Sequence, residues 1–151
     1  MTKISIVASE LDAAHERARR AYAARDLATY MDTFASDLVY RQRDGRSIDR
    51  DQLAIDVRVQ LRRAASAASE FHRTALKLGV NEISASEEGE QCATYEVRAF
   101  GIVRRIWNVR RLGRYEWSRG EVGWQIRRVE ILYEEITSHV SLAFGRSAPA
   151  A

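Results

Sequence analysis

The sequence of 151 residues contains one cysteine, one proline and two lysines. The single Cys92 excludes an internal disulfide bond and any metal site built from cysteines. No segment approaches the roughly 20 consecutive apolar residues that a membrane-spanning helix needs. The N-terminal stretch is too short, and becomes acidic too soon, for a secretory signal peptide. We therefore expect a cytoplasmic protein.

Several catalytic motifs are also missing. The sequence has no phosphate-binding loop, no dinucleotide-binding glycine motif and no nucleophile elbow. Its histidines, at positions 15, 72 and 139, are not paired at the spacing of metal ligands. We therefore expect neither a metal nor a cofactor.

The composition is that of an ordinary globular domain, with 46% apolar and 30% charged residues. We expect one domain over residues 1–136 and a C-terminal tail over residues 137–151. Between positions 98 and 128, nine arginines stand against two glutamates. Such an excess attracts anions if it faces one way.

Three helices are indicated in the first part of the chain. Ser9, Asp26 and Asp49 are each placed as an N-cap, and Asp49 begins a capping box that ends in Gln52. The apolar face of the first predicted helix is formed by Leu11, His15, Ala18 and Tyr22.

Strand-like runs follow the helices and are unusually long. A short strand at 38–43 precedes a turn at Asp44–Gly45, and the long runs cover residues 71–86, 91–105, 106–118 and 122–136. Strands this long must bend, and helices laid across the bent sheet leave a cavity inside. The order predicts an α+β cone.

Two segments resemble the NTF2-like superfamily, especially its SnoaL-like branch. They are residues 24–40, with the pattern Phe-Ala-x-Asp before the first strand, and residues 123–132, with Gly-Trp-x-Ile-x-Arg in the closing strand. The resemblance covers residues 9–136. It implies a cone of three N-terminal helices packed on a strongly curved antiparallel sheet. It also implies small-molecule binding, with cofactor-independent lyase, isomerase or cyclase activity as the kind of chemistry the branch contains.

The resemblance does not extend to the ketosteroid isomerase residues. The general base of that enzyme falls on Gln42, its oxyanion-hole tyrosine on Ala18 and its protonated aspartate near Gly113. A second resemblance, over residues 71–80 and 127–132, is to the β subunits of aromatic-ring-hydroxylating dioxygenases. It implies the alternative of a non-catalytic structural subunit.

The closing strand allows two registers. If Trp124 and Ile126 point inward, strict alternation also turns Arg128 and Glu130 inward. The same alignment turns Glu96 and Arg98 inward, and the outer face becomes apolar and suited to a homodimer. One bulge between Ile126 and Val129 gives the other register, with Tyr95, Val97, Val129 and Ile131 in the core.

The first register predicts a polar pocket. Glu130 becomes the general acid or base, with His72 as a proton-transfer partner. Arg128 and Arg98 then hold a substrate carboxylate or an enolate oxygen. The remaining expected substrate contacts are Glu96, Tyr40, Gln42, Tyr30 and His15.

The predicted ligand is a small hydrophobic or anionic molecule. Nucleic acid is disfavoured, because the arginines lie on both strand faces and not in one stripe.

Overall fold

Residues 2–142 are described in the computed structural model. The helices are α1 (Lys3–Ala23), α2 (Leu27–Met31) and α3 (Arg50–Arg63). The predicted caps Asp26 and Asp49 are confirmed, since each accepts a backbone N–H three residues ahead. The predicted cap Ser9 is wrong: Thr2 caps α1 and accepts the N–H of Ser5 at 3.2 Å.

The six strands form one sheet. They are β1 (Phe34–Arg41), β2 (Ser47–Ile48), β3 (Ala64–Leu78), β4 (Ser84–Ala99), β5 (Val103–Gly120) and β6 (Gly123–Leu142), in the order β2-β1-β6-β5-β4-β3. The sheet is mixed, because β1 runs parallel to β6. The expectation of a wholly antiparallel sheet is therefore wrong at this pair.

The predicted strand break at Glu88–Gly89 is also wrong. That dipeptide lies inside β4, and β3 turns into β4 through Val80–Glu82, where Asn81 and Glu82 have positive φ of 61° and 58°. At the other end of the chain, β6 continues through part of the predicted tail to Leu142. The rest of that tail, residues 143–151, lies outside the described residues.

The helical part covers the inner face of the sheet. It consists of two long helices and the short α2, with α1 packed on β3 and α3 packed on β1 and β3. The core combines apolar side chains of α1 and α3 with the inward residues of the strands, among them Leu11, Leu53, Tyr115, Trp117 and Val129. This is the α+β cone, although α3 follows β1 and β2 and is not grouped with the first helices.

The closing strand adopts the bulged register. Trp117 lies opposite Ile126 and the neighbouring Glu116 lies opposite Arg128, so Arg127 is an extra residue. Val129 is 0% exposed, and Arg128 faces outward. The bulge places two consecutive arginines outside and Val129 in the core, which avoids burying an unpaired guanidinium.

The polar pocket floor predicted for β6 is therefore wrong. Glu130 lies on the outer face, opposite Arg114 of β5. Arg128 lies beside it on the same face, and its neighbour Arg127 pairs with Asp37. Neither Arg128 nor Glu130 reaches the interior of the cone.

The outer face also holds Glu96 and Arg98, two other predicted site residues. Glu96 and Arg98 form an ion pair with each other at 2.9 Å. The exposed His72 has its Nε2 atom 3.4 Å from Glu70. The inward prediction for Glu96 and Arg98 is wrong, because Tyr95 and Val97 face the interior and strict alternation turns their neighbours outward. His72, whose side chain is 66% exposed, instead lies at the edge of the cavity between the helices and the sheet.

The outer face is polar. Cross-strand ion pairs join Arg110 to Glu90 at 3.0 Å and Arg114 to Glu88 at 3.2 Å. Val129 and Ile131, two of the apolar residues from which an outer-face homodimer was inferred, lie in the core instead, and the homodimer itself stays a prediction. No described helix combines the length and the apolar character needed to cross a membrane.

Candidate active site

A cavity of about 470 Å³ lies between the helices and the inner face of the sheet. We call it the proximal cavity. Its volume lies within the range of small-molecule sites. Its wall contains residues from α1, α2, α3, β1 and the four long strands, including His15, Tyr22, Tyr30, Tyr40, Phe71, Arg73, Gln91, Arg111 and Tyr115.

Glu87 of β4 is a fully buried carboxylate beside this cavity, with 0% of its surface exposed. Its Oε1 accepts hydrogen bonds from His15 Nε2 at 2.8 Å and from Trp117 Nε1 at 2.9 Å. Its Oε2 accepts a hydrogen bond from Arg73 Nε at 2.8 Å. A buried carboxylate needs such donors, because it loses its hydration on folding.

His15 of α1 is fixed by contacts on more than one side. Its ring stacks on Phe71, with centroids 3.9 Å apart and an angle of 12°, and meets Trp117 edge-on at 5.2 Å. The ring is partly exposed and lines the proximal cavity. Because the Glu87 carboxylate accepts from Nε2, the tautomer that fits this contact carries its proton on Nε2 and leaves Nδ1 as the acceptor nitrogen. Nδ1 makes no hydrogen bond to residues 2–142.

Arg73 connects the buried carboxylate to the surface. Its Nη2 donates to Asp12 Oδ1 at 2.7 Å, while its Nε holds Glu87. Burial alone would raise the pKa of Glu87, but the hydrogen bonds from His15, Arg73 and Trp117 outweigh it and lower the pKa. Glu87 is therefore ionised at neutral pH and holds His15 in one orientation.

This lowered pKa predicts an acid-dependent loss of stability. The unfolded chain binds the proton near the ordinary value of 4.5, and the folded chain binds it only at lower pH. The stabilisation by ionised Glu87 is thus complete above that value and is lost as the pH falls through the folded pKa. Urea unfolding at a series of acidic pH values should show a steeper loss in the wild-type protein than in Glu87→Gln. If the free energy of unfolding falls equally with pH in both proteins, Glu87 is not the group whose lowered pKa stabilises the fold.

Tyr22 and Tyr115 line the proximal cavity, and the hydroxyls of both are buried without a protein partner in the described residues. Tyr22 and Tyr115 are each 5% exposed, and neither hydroxyl is hydrogen-bonded within residues 2–142. Burial raises the pKa of Tyr22 to about 12 and also raises that of Tyr115, so both are protonated donors. Gly113 leaves room for Tyr115, because a Cβ there would lie 2.9 Å from its hydroxyl. These hydroxyls suit an oxygen atom of a ligand.

Removing one of these hydroxyls should affect stability and binding in opposite directions. We expect Tyr115→Phe to raise the free energy of unfolding by about 1 kcal/mol, since it removes a buried polar group without a partner. Ligands that accept its hydrogen bond should bind more weakly. Tyr133→Phe is the control: it removes an exposed hydrogen bond to Glu135 on the outer face. A loss of stability in Tyr115→Phe would show that its hydroxyl has a structural partner.

Gly89 gives Phe71 the space in which to stack on His15. A Cβ at position 89 would lie 2.4 Å from Phe71 Cζ and 2.8 Å from the carbonyl oxygen of His72. We expect Gly89→Ala to destabilise the fold by roughly 1–3 kcal/mol in urea unfolding, as overpacked cores do. Gly120→Ala is the matched control, because no atom lies within 4 Å of its added Cβ. Equal effects of the two substitutions would contradict this packing.

The far wall of the proximal cavity is also polar. Arg111 Nε lies 2.5 Å from Glu134 Oε2, and the guanidinium opposes the rise in pKa that burial produces at Tyr40. Burial raises the pKa of Tyr30 as well. The structure thus brings His15, Tyr30 and Tyr40 together on one cavity wall, while Gln42 lies on a neighbouring surface.

Sequence reasoning missed Glu87, Arg73 and Tyr115. The strand break predicted at Glu88–Gly89 placed Glu87 in a loop, which hid its inward direction. A signal was nevertheless present: Ala85, Glu87, Gly89 and Gln91 alternate along one strand face with polar neighbours. The donors to Glu87 come from three other elements, so no local pattern links them.

Within residues 2–142, no three His, Cys, Asp or Glu side chains cluster closely enough to hold a metal ion. The polar groups of the proximal cavity are a histidine–carboxylate pair, tyrosine hydroxyls and arginines. Their chemistry is that of proton transfer and of binding to an oxygen or a carboxylate.

Comparisons with known proteins give matches among solved structures alone. No family model and no curated protein matches the sequence. A proposed scytalone dehydratase from Novosphingobium aromaticivorans superposes with a TM-score of 0.68 at 13% identity, over 98% of this chain and 95% of that one. A hexachlorocyclohexane dehydrochlorinase superposes with a TM-score of 0.64 at 10% identity, over 99% and 98%.

A third similar structure names the fold. It is a proposed dehydratase of the NTF2-like family from Streptomyces avermitilis, with a TM-score of 0.63 and 8% identity over 85% of this chain and 96% of that one. At these identities the likeness concerns the fold. The chain therefore has the NTF2-like fold that residues 24–40 and 123–132 predict.

Proposed function

We propose that the proximal cavity binds a small carbonyl compound and that His15 removes a proton from the carbon next to the carbonyl group. The observation that carries this proposal is the 2.8 Å contact between His15 Nε2 and the buried Glu87 carboxylate. A histidine that lines a cavity and is oriented by a buried carboxylate is the arrangement of a general base. The protein is then a cofactor-independent lyase or isomerase.

The proton balance of this step uses only residues of the cavity. Nδ1 of His15 takes the proton, and the electron pair of the C–H bond forms the carbon–carbon double bond of an enolate. The resulting imidazolium is stabilised by ionised Glu87 through Nε2. Return of the proton to another carbon gives an isomer, and loss of a leaving group from the β carbon gives an elimination.

The enolate oxygen needs donors, and the tyrosines offer them. The Tyr22 and Tyr115 hydroxyls are protonated and lack protein partners within residues 2–142. Fixed donors of this kind strengthen their hydrogen bonds as negative charge develops on the oxygen. Arg111 on the far wall is paired with Glu134 through Nε, and its other N–H groups suit an acceptor oxygen of the ligand.

The names of the solved neighbours agree with this class of reaction. A dehydratase and a dehydrochlorinase both carry out eliminations, in which a proton leaves carbon. With identities of 13% and 10%, these names suggest the class of reaction and not the substrate.

Hydrogen–deuterium exchange tests the proposal before the natural substrate is known. The purified protein is incubated in D₂O with cyclic ketones such as 1-tetralone, 2-tetralone and cyclohexenone, and exchange at the α carbon is followed by NMR. We expect protein-dependent exchange that saturates with ketone concentration and that Tyr115→Phe slows by about tenfold or more.

The contrary outcome is equally clear. Absence of exchange with every ketone, together with a larger partner that co-purifies from the native host, would favour the structural-subunit alternative. Exchange that persists unchanged in Tyr115→Phe would remove the tyrosine from the proposed role.

A further inference from the structure

A second concave surface lies beyond α3. Its volume is about 1250 Å³, and it is formed by the β1–β2 turn, by α3 and by the far ends of β4, β5 and β6. We call it the distal trough and define it by Arg43, Arg63, Tyr95, Arg105 and Trp107. None of these five residues belongs to the wall of the proximal cavity.

The floor of the distal trough is aromatic. Tyr95 and Trp107 are opposite each other in the β4–β5 register, with ring centroids 6.2 Å apart and an angle of 15°. The Arg105 guanidinium lies 5.6 Å from the centroid of the Trp107 ring. Such a surface stacks planar rings and tolerates many of them, because every aromatic ring has a π face.

The rim of the distal trough is positively charged. Five arginines and three carboxylates line it. Two of those arginines are matched, Arg46 by Asp44 and Arg111 by Glu134. Arg43, Arg63 and Arg105 form no salt bridge with any carboxylate of residues 2–142. Arginines without a carboxylate partner can bind the negatively charged group of a ligand whose aromatic ring stacks on this surface.

We propose that the distal trough binds a planar aromatic ring bearing one or more negative charges. Two sources share this chemistry: a nucleoside diphosphate, with phosphates for the arginines, and an aryl carboxylate. The distal trough and the proximal cavity share Tyr40, Leu53, Val57, Gln60 and Arg111 in their walls, but the five residues that define the trough are separate from His15 and Glu87. The proposal can therefore be tested separately from the acid–base function.

The three tryptophans provide the readout. Trp117 and Trp124 are buried, whereas Trp107 lies in the distal trough and is partly exposed. In ¹⁵N-labelled protein, titration with ADP or with 1-naphthoate should shift the Trp107 indole signal and leave the other two in place. Trp107→Phe assigns that signal by removing it. The probe that binds more tightly shows whether the ligand is a nucleoside diphosphate or an aryl carboxylate, and either result supports the proposal.

The charge requirement has a matched control on the same strand. We expect Arg105→Gln to weaken binding of both probes by about tenfold, which corresponds to the loss of a charge-assisted hydrogen bond. Arg104→Gln removes the neighbouring arginine, which faces the other side of the sheet and binds Ser141. It should change the affinity by less than about twofold, as a screened surface charge does. Uncharged 1-naphthalenemethanol should bind at least about tenfold more weakly than 1-naphthoate.

Several results would overturn the proposal. They are an unchanged chemical shift of the Trp107 indole with both probes, equal losses of probe affinity in Arg104→Gln and Arg105→Gln, and equal binding of the charged and uncharged naphthalenes.

Other results would change the identity of the occupant. Single-stranded DNA that binds more than about a hundredfold tighter than ADP, with a steep salt dependence, would make the occupant a nucleic acid. If the wild-type protein sediments as a dimer and Arg105→Gln sediments as a monomer, the occupant of the distal trough is a second copy of this chain. His15→Gln should leave probe binding unchanged, so failure here is distinguishable from failure of the acid–base function.

Discussion

Replacing Glu87 with alanine is expected to lower the free energy of unfolding by about 3–5 kcal/mol, the cost of breaking a buried ion pair by removing one partner. The loss should be large because Glu87 is 0% exposed and accepts hydrogen bonds from His15, Arg73 and Trp117. In the alanine variant the Trp117 N–H loses its acceptor inside the core. Urea unfolding gives the free energy, and the melting temperature should fall by roughly 10 °C or more.

The neighbouring glutamate provides the control. Glu88 faces outward and pairs with Arg114 at 3.2 Å, with both side chains nearly half exposed. Glu88→Ala should therefore change the free energy of unfolding by less than about 1 kcal/mol. If Glu87→Ala and Glu88→Ala are equally stable, Glu87 is not the buried centre of the hydrogen-bond network.

Replacing His15 with glutamine is expected to reduce the rate of α-carbon exchange by about 10²–10⁴, the usual contribution of a general base. Glutamine is a polar side chain that can still approach Glu87 but cannot take a proton from carbon. The dissociation constant of the ketone, measured by calorimetry, should change little, because the cavity wall is otherwise intact. A loss in rate without a loss in binding assigns His15 to the chemical step.

His139→Gln is the control for this experiment, since His139 is exposed on β6 and does not line the proximal cavity. It should exchange ketones at the wild-type rate. If His15→Gln also retains that rate, the base is elsewhere and the proposed mechanism is wrong.

Local signals in the sequence predicted the parts of the fold that depend on near neighbours. Asp26 and Asp49 cap helices, and Asp44–Gly45 forms a tight turn, because each feature is decided within a few residues. The family resemblance supplied the global arrangement. It could not supply the register, since one inserted residue in a strand reverses the direction of the side chains beyond it.

The bulge at Arg127 decided where the site lies. Strict alternation from Trp124 and Ile126 would bury Arg128 and Glu130, whereas the bulge buries Val129 and Ile131. Burial of the two apolar side chains and exposure of the two charges is favoured on physical grounds. His15 and Glu87 are 72 positions apart, and their contact follows from the packing of α1 on the sheet, which no local pattern encodes.

The exchange rates of His15→Gln and Glu130→Gln, measured on the same ketone, compare the two sites directly. We expect His15→Gln to lose about a hundredfold or more and Glu130→Gln to match the wild-type protein, because Glu130 lies on the outer face opposite Arg114. The reverse result, with activity lost in Glu130→Gln and kept in His15→Gln, would contradict the placement of the active site in the proximal cavity.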